Sequence, residues 1–403
     1  MKKIMAIILA LTLTFSLVAC GGDSSSAAVS GSGGATGSGN MAVAEDGKVY
    51  VGVCSHLSGS YSYLYEYAKE SFDVCLDHLN ANGGIMGHEV EVVWFDLGDS
   101  IDTAMNAFEL ATEDKRLSTI VMSTFSQNCL AVLDAATSAK IPTFMGGSGD
   151  AINTGADYIW MNRPLDSSAS ATIVTYAVDT LKYTKPVICY NTLASTQAGA
   201  EYMIEYLGDR GIKVDDSHIF GYSNEEKNFD TYAAQVKSLI DTGECDGILC
   251  FGNQTDLAAL AKSLDAAGCD VPCMGNAQVI NETTLSLAGA SINGWYSVAE
   301  SYAEDEGELN QEFREIYNEA TGHYPTTNLY GGYFLFYLEA LCEKAGDPYD
   351  RDYINEAIKE VEFNTPSGVY KYWGEGDSNL RNNMYVCVVE DGAAKILNSV
   401  EYR

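Results

Sequence analysis

The sequence predicts an α/β protein built from two doubly wound lobes, each with a parallel sheet covered by helices on both faces. Two observations support this fold class. Short segments that are apolar throughout alternate with segments in which apolar residues recur every three or four positions. This alternation runs through the first part of the chain and restarts after Arg163-Pro164. Strands without a polar face are typical of parallel sheets, so two successive sets of them indicate two lobes.

The first set contains four predicted strands, at residues 49–53, 90–95, 118–122 and 141–145. The segments between these strands each have one apolar face at helical spacing, which predicts a helix between every pair of strands. The first of these faces consists of Ala68, Phe72, Cys75, Leu76 and Leu79.

The second set repeats the rhythm with predicted strands at residues 186–190, 218–222, 247–251 and 271–274. Beyond Gly294 the pattern is mixed. Three helix faces lie within residues 309–320, 330–345 and 351–361, and two late strands are predicted at residues 368–372 and 384–389. A polar turn joins the late strands, so we predict that they form a hairpin. This material is expected to complete both lobes rather than to form a third domain.

The N-terminus predicts export. Lys2 and Lys3 precede an apolar run that is too short to cross a membrane, which is typical of a signal peptide. Residues 17–20 (LVAC) resemble the lipobox of bacterial lipoproteins, in which Cys20 would carry a diacylglycerol group. The alternative is a plain signal peptide followed by an incidental cysteine. Residues 21–40 are rich in Gly and Ser and indicate a flexible tether.

Composition excludes several classes of function. The formal net charge is −33, so binding to nucleic acid through counterion release is excluded, and no second apolar run is long enough to cross a membrane. The ten cysteines other than Cys20 allow disulfides, but several lie in apolar runs where cysteine acts as a small core residue. Their spacing does not match a structural zinc site, and we predict no metal and no cofactor. These cysteines are Cys54, Cys75, Cys129, Cys189, Cys245, Cys250, Cys269, Cys273, Cys342 and Cys387.

Several short motifs occur in an order that resembles the branched-chain amino-acid binding protein family, and the similarity spans residues 48–397. The most specific motif is residues 79–87 (LNANGGIMG). The others are Leu57-Ser58-Gly59, Asp96, Ile141-Pro142, residues 160–163 (WMNR), residues 330–333 (YGGY) and Pro366-Ser367-Gly368. The resemblance implies the type I periplasmic binding fold, in which two lobes joined by three crossovers close over a solute.

The resemblance also implies a domain organisation and a function. Residues 1–19 would be the signal peptide and residues 20–45 the lipid-anchored tether. Residues 46–165 and 299–367 would form the first lobe, and residues 166–298 and 368–403 the second. The protein would be a non-enzymatic, monomeric lipoprotein outside the cytoplasm, attached to the membrane by its lipid alone. It would deliver a small amphipathic solute, such as an amino acid or a related carboxylate or amide, to the permease of an ABC importer.

In the first lobe, the resemblance places ligand contacts at the ends of the strands. Ser126 matches a serine that meets the ligand carboxylate, and Gly147, Ser148 and Gly149 match a loop that supplies N–H groups and a hydroxyl. Ser126 could instead cap the helix that follows, and the glycines could form only a tight turn. Tyr61, Tyr63 and Tyr65, which follow the first strand, could line the cleft with aromatic surface, or could pack in the core or on the surface.

In the second lobe, the aligned positions depart from the family. The positions where relatives have aromatic residues align near Ser195 or Thr196 and near Asn253 or Gln254. Ala277, with Gln278 beside it, stands where amino-acid binders have a glutamate that pairs with the ligand ammonium. Because a buried ammonium without an acidic partner is costly, either another acid reaches the site or the ligand has no α-ammonium. We predict a ligand with an acidic or amide end and an apolar or aromatic body.

Two other classes of function share some of these features. A serine hydrolase would need a complete Gly-x-Ser-x-Gly elbow, but Asp150 follows Gly149 and the five histidines show no triad or metal spacing. A ligand-sensing module can have the same fold, yet a lipid anchor cannot transmit a signal inward by itself. Solute delivery to an importer is therefore the favoured function.

Overall fold

The computed structural model describes residues 39–122, 125–301, 307–325 and 331–401, with no side-chain description for residues 399–401. Cys20 and most of the predicted tether lie outside the described residues. Within those residues, no helix is both long and apolar enough to span a bilayer.

The first sheet is fully parallel and has the strand order β2-β1-β3-β4-β5. Each of the four strands predicted here is present, and a fifth short strand, β5, is added at the edge. The elements are β1 (Val49–Ser55), α1 (Tyr63–Ala81), β2 (Val90–Asp96), α2 (Ile101–Glu113), β3 (Leu117–Met122), α3 (Ser126–Ala139), β4 (Thr143–Met145) and β5 (Ile159–Met161). The helices cross between parallel strands, as their apolar faces predict.

The chain then forms a second set of strands and helices, followed by a segment rich in helices. The second set is α4 (Asp166–Asp179), β6 (Pro186–Asn191), α5 (Ala194–Asp209), β7 (Ile219–Tyr222), α6 (Asp230–Asp241), β8 (Gly247–Phe251), α7 (Gln254–Ala266), β9 (Cys273–Gly275), α8 (Glu282–Ala288) and β10 (Tyr296–Ala299). The remainder is α9 (Glu308–Thr321), α10 (Phe334–Ala345), α11 (Arg351–Ile358), β11 (Phe363–Thr365), β12 (Gly368–Tyr370), β13 (Asn383–Glu390) and β14 (Ala393–Glu401).

The second sheet is mixed. Its order is β14-β13-β10-β9-β8-β6-β7. Strands β6 to β10 are parallel, whereas β13 runs antiparallel to both β10 and β14. The predicted fold class, two doubly wound α/β lobes joined by crossovers, is confirmed, and the antiparallel edge is an addition to it.

The predicted hairpin between the two late strands is wrong. Strand β12 pairs with β11, through Thr365 and Gly368, while β13 joins the second sheet. The segment between β12 and β13 is not a tight turn, because it runs along the edge of the first sheet. There the Met161 N–H donates to the Ser378 carbonyl at 2.8 Å, and the Leu380 N–H donates to the Met161 carbonyl at 3.0 Å.

The late helices pack on the first sheet, so the chain returns to that lobe before it ends in the second sheet. Phe334 and Tyr337 of α10 lie against Phe144 of β4, and the indole N–H of Trp160 donates to the Asn355 amide at 2.8 Å. The lobe boundaries drawn from the sequence remain predictions. Tyr370, beyond the boundary at residue 368, packs against the first core.

Three crossing segments of the described chain meet at a hinge. Arg163, after β5, forms a two-bond ion pair with Glu300, after β10, at 2.7 and 2.6 Å. Arg381, before β13, donates to the main-chain carbonyl of Glu300 at 2.5 Å. The Asn379 amide donates to the Arg163 carbonyl at 2.8 Å. All three crossings are therefore joined by one partly buried network of hydrogen bonds.

The ten described cysteines are free thiols, and all except Cys269 are buried. Burial raises the pKa of the Cys245 thiol to about 11 and that of Cys387 to about 12. These thiols act as small core residues, which is one of the alternatives that the sequence left open.

Candidate functional site

The serine and glycine residues predicted for the first lobe meet at the carboxyl edge of the first sheet. Ser126 is the first residue of α3, and its hydroxyl oxygen accepts the Gly149 N–H at 3.1 Å. Gly147 lies so close to the start of α3 that an added Cβ would come within 2.8 Å of the Ser126 Cα. The glycine loop, residues 146–149, therefore needs a glycine at position 147 to pack against Ser126.

Helix capping does not account for Ser126. The N-cap residue of α3 is Phe125, and no side chain caps the helix. The Ser126 oxygen accepts the Gly149 N–H, and its hydroxyl hydrogen has no acceptor among the described residues, so it can donate to another group. Burial raises the pKa of the Cys129 thiol to about 11. The main-chain N–H groups of Gly146 and Gly147 favour the thiolate form and so lower that pKa, but burial has the larger effect. The Ser126 hydroxyl is thus the clearest donor at this edge.

Three rings form an aromatic wall beside Ser126: His56, Tyr61 and Phe125. The ring of Phe125 is 4.9 Å from that of His56 and 4.8 Å from that of Tyr61, both in edge-to-face geometry. Nδ1 of His56 donates to the Gly98 carbonyl at 2.6 Å, which fixes the buried ring. The sequence predicted Tyr61 but missed His56 and Phe125. His56 directly follows β1, and Phe125 directly precedes α3. Tyr63 and Tyr65 instead pack against Tyr67 and Trp94.

At the carboxyl edge of the second sheet, Asn253 belongs to a polar group that the sequence did not reveal. We call Asn191, Asn224 and Asn253 the asparagine cluster. Asn191 donates to the Asp256 carboxylate at 2.7 Å, and both Asn191 and Asn253 donate to Asn224 at 3.2 Å. Burial raises the pKa of Asp256, and the Asn191 hydrogen bond opposes that shift.

The remaining second-lobe candidates lie in two other places. Ala277 and Gln278 begin a 3₁₀ turn just after β9, and among the described residues no acidic side chain is hydrogen-bonded to Gln278. The Gln278 side-chain oxygen is buried and has no hydrogen-bond partner among the described residues. Ser195 is exposed in the first turn of α5 and has no contact with the asparagine cluster.

The glycine loop is linked to the second lobe through α4. The Ser148 carbonyl accepts the Asp166 N–H of α4 at 2.9 Å, and Ser170 of α4 donates to the Gly199 carbonyl of α5 at 2.9 Å. Helix α5 begins directly after β6, next to Asn191. Burial raises the pKa of Asp166 to about 6, although the charge of Arg163 favours its ionised form. A path of hydrogen bonds and helices thus leads from the glycine loop through α4 and α5 to the end of β6.

No group of three or more His, Cys, Asp or Glu side chains within the described ranges could hold a metal ion. The two strand edges instead carry hydroxyls, amides and aromatic rings, which are the kinds of group that line small-molecule sites.

The sequence profile of the family described as Periplasmic binding protein matches residues 48–394. The chain belongs to this periplasmic binding protein family. The predicted family resemblance is thereby confirmed. No curated protein matches the sequence significantly.

Solved periplasmic binding proteins share the fold at low sequence identity. A leucine binding protein, LivK from Thermotoga maritima, is 19% identical with a TM-score of 0.72, over 88% of this chain and 99% of its own. An ABC transporter substrate-binding protein from Sphaerobacter thermophilus is 20% identical with a TM-score of 0.76, over 88% and 98%. A solute binding protein from Rhodopseudomonas palustris HaA2, in complex with p-hydroxybenzoic acid, is 18% identical with a TM-score of 0.72, over 88% and 97%.

Proposed function

We propose that this periplasmic binding protein captures a small amphipathic solute by closing its two lobes and delivers it to the permease of an ABC importer. The observation that carries the proposal is the Ser126 hydroxyl, which the Gly149 N–H holds at the start of α3. A strand edge, a helix N-terminus and an available hydroxyl converge there. Hinge closure over a ligand is a common mode of action for two-lobed proteins of this kind.

One end of the proposed ligand is a carboxylate or a carbonyl group. The N-terminus of α3 carries a partial positive charge, and the Ser126 hydroxyl hydrogen can donate to a ligand oxygen within hydrogen-bonding distance. A hydrogen bond to a charged oxygen is shorter and stronger than one between neutral groups. The first lobe therefore supplies the anchor for the acidic or amide end.

The body of the proposed ligand is apolar or aromatic. The aromatic wall of His56, Tyr61 and Phe125 offers ring edges and faces beside Ser126, and aromatic rings prefer edge-to-face or offset contacts. The loop at Ala277 offers no acid to pair with an ammonium. Related proteins of this fold have been solved with benzoate and with isoleucine, so both kinds of body occur among the neighbours.

A thermal-shift screen followed by scattering tests the function. The panel contains leucine, benzoate, 4-hydroxybenzoate, benzamide and adenosine. A ligand at 100 times its Kd stabilises the folded protein by about 2.7 kcal/mol, which is easily detected as a higher Tm. Small-angle scattering with the best ligand should show a smaller radius of gyration. A ligand that binds tightly without compaction would contradict capture by lobe closure.

A further inference from the structure

The ends of β6, β7 and β8 lie side by side, because these strands are neighbours in the order β8-β6-β7. Asn191 is the last residue of β6, Asn224 follows β7 and Asn253 follows β8. The asparagine cluster is therefore assembled from three separate loops at the carboxyl edge of the second sheet, where open α/β sheets bind ligands.

The hydrogen bonds fix which way each amide points. A carboxylate only accepts, so Asn191 must present its Nδ2 to Asp256, at 2.7 Å. The second hydrogen of the same nitrogen goes to the Asn224 oxygen at 3.2 Å. That oxygen also accepts Nδ2 of Asn253 at 3.2 Å. The negative charge of Asp256 thus sets the polarity of the whole cluster.

Two polar atoms of the cluster remain for a ligand. Nδ2 of Asn224, a donor, and Oδ1 of Asn253, an acceptor, have no partner among the described residues. Asn191 and Asp256 are buried beneath them, at 0% and 6% exposure, whereas Asn253 is half-buried and Asn224 is exposed. The buried pair holds the exposed pair in place, and the exposed pair offers one donor and one acceptor.

A second unsatisfied group lies under the same loops. The Tyr222 hydroxyl has no hydrogen-bond partner in the described part of the chain, and the residue is only 2% exposed. A Cβ added to Gly252 would lie 2.6 Å from this hydroxyl and 3.0 Å from Oδ1 of Asp256, so the three groups adjoin one another. Buried polar groups without hydrogen-bond partners are uncommon. The Tyr222 hydroxyl therefore marks a polar site under these loops with hydrogen-bonding capacity that the described residues do not fill.

We infer that the asparagine cluster is the second-lobe half of the ligand site and binds a neutral hydroxyl or carboxamide at the ligand end opposite the carboxylate. The inference rests on the proposed function. Hydroxyls and carboxamides both donate and accept, so they match the Asn224 nitrogen and the Asn253 oxygen together. An ammonium could only donate and would leave the Asn224 nitrogen unused. A second carboxylate would lie above the charge of Asp256, which disfavours it.

Calorimetric titration with para-substituted benzoates tests the inference on the purified protein. The probes are benzoate, 4-hydroxybenzoate, 4-carbamoylbenzoate, 4-(aminomethyl)benzoate and terephthalate. We expect 4-hydroxybenzoate or 4-carbamoylbenzoate to bind at least tenfold more tightly than the other three. Tightest binding of benzoate, of the ammonium compound or of the dicarboxylate would overturn the assignment.

Variants of the asparagine cluster test whether its side chains contact the ligand or only stabilise the fold. Asn253→Ala and Asn224→Ala should each abolish the preference for the para-substituted compounds over benzoate, because each variant removes one of the two polar atoms that the para group contacts. Asn253 is the N-cap residue of α7, but its side chain makes no capping hydrogen bond, so its loss leaves the helix start intact. Asn293→Ala, an exposed asparagine just before β10, is the matched control and should keep the preference. Asp256→Asn should weaken the preference, because a neutral amide lets the cluster reverse its polarity. A preference that survives both alanine variants would refute the site.

The two proposals fail in different ways. If none of the benzoates binds but another solute from the thermal-shift panel binds with compaction, the proposed function stands and the inference fails. If no solute binds or compacts the protein, the proposed function fails with it.

Discussion

At the scale of single residues, Ser126 connects the glycine loop to the start of α3 and keeps a hydroxyl hydrogen to donate. We predict that Ser126→Ala weakens binding of the best ligand by about tenfold or more, because a hydrogen bond to a charged group contributes about 1.5–3 kcal/mol. Ser138→Ala is the matched control, since Ser138 lies on the same helix and its hydroxyl donates to the Asp134 carbonyl within that helix. Calorimetry measures both, and equal affinities for the two variants would exclude Ser126 from the site.

Asp166 gives the molecule a measurable pH dependence. Burial raises its pKa to about 6 from an ordinary value of 3.8, so the folded state keeps the proton at a pH where the unfolded chain has lost it. The free energy of unfolding therefore falls as pH rises through this window, from about 4 to about 6. Asp166→Asn removes this loss, so between pH 4 and pH 7 the variant should gain roughly 1–3 kcal/mol relative to the parent protein.

Urea denaturation at several pH values checks this prediction. Asp179→Asn, an exposed carboxylate on the same helix that pairs with Arg210, serves as the control and should follow the parent curve. If the Asp166→Asn curve ran parallel to the parent curve across the whole range, the carboxyl group would not be the source of the dependence.

At the scale of elements, Gly199 is the point at which α5 packs directly on the Phe251 ring of β8. A Cβ at this position would lie 2.5 Å from the Phe251 ring, so Gly199→Ala should destabilise the protein by roughly 1–3 kcal/mol through overpacking. Gly208 lies on the same helix with nothing within 4 Å of an added Cβ. Gly208→Ala should instead be neutral or stabilise by up to about 1 kcal/mol, because alanine favours helix. Thermal unfolding measures both variants: Gly199→Ala should lower Tm, whereas Gly208→Ala should leave Tm unchanged or raise it.

The elements also show which parts of the fold the sequence could predict. Strands of five or more apolar residues, such as β6 and β8, stand out from the helical periodicity around them. The three-residue β5 and the polar edge strand β14 have no such signal, because their place depends on pairing with distant strands. The late hairpin failed for the same reason, since the edge of β5 captures the segment that looked like its turn.

The sequence could predict only those site residues whose meeting follows from the order of the strands along the chain. Ser126 and the glycine loop follow adjacent strands, so their meeting could be expected from sheet topology. Asn224, Asn191 and Asp256 carry no local pattern, and the hydrogen bonds that make them one cluster appear only when three loops converge. His56 was visible as a residue, but its role in the aromatic wall depends on a contact with Phe125, more than sixty positions later.

At the scale of the whole molecule, we predict attachment to the membrane through Cys20. The prediction rests on residues 17–20 and the tether that follows them. Cys20→Ser should release the protein from the membrane fraction, because no second apolar run follows in the sequence. Cell fractionation with antibody detection measures the distribution, and Ser16→Ala, just before the lipobox, is a control that should stay attached. Full retention of the Cys20→Ser protein would contradict lipid anchoring.

The buried thiols have a practical consequence for watching this protein at work. Buried cysteines with raised pKa values react slowly with maleimides, since the thiolate is the reactive form. A released Cys20→Ser protein with Leu193→Cys, at an exposed position just after β6, would carry a fluorophore next to Asn191 of the asparagine cluster. Changes in its emission would then report each solute that enters, and the binding protein would become an optical sensor for its own ligand.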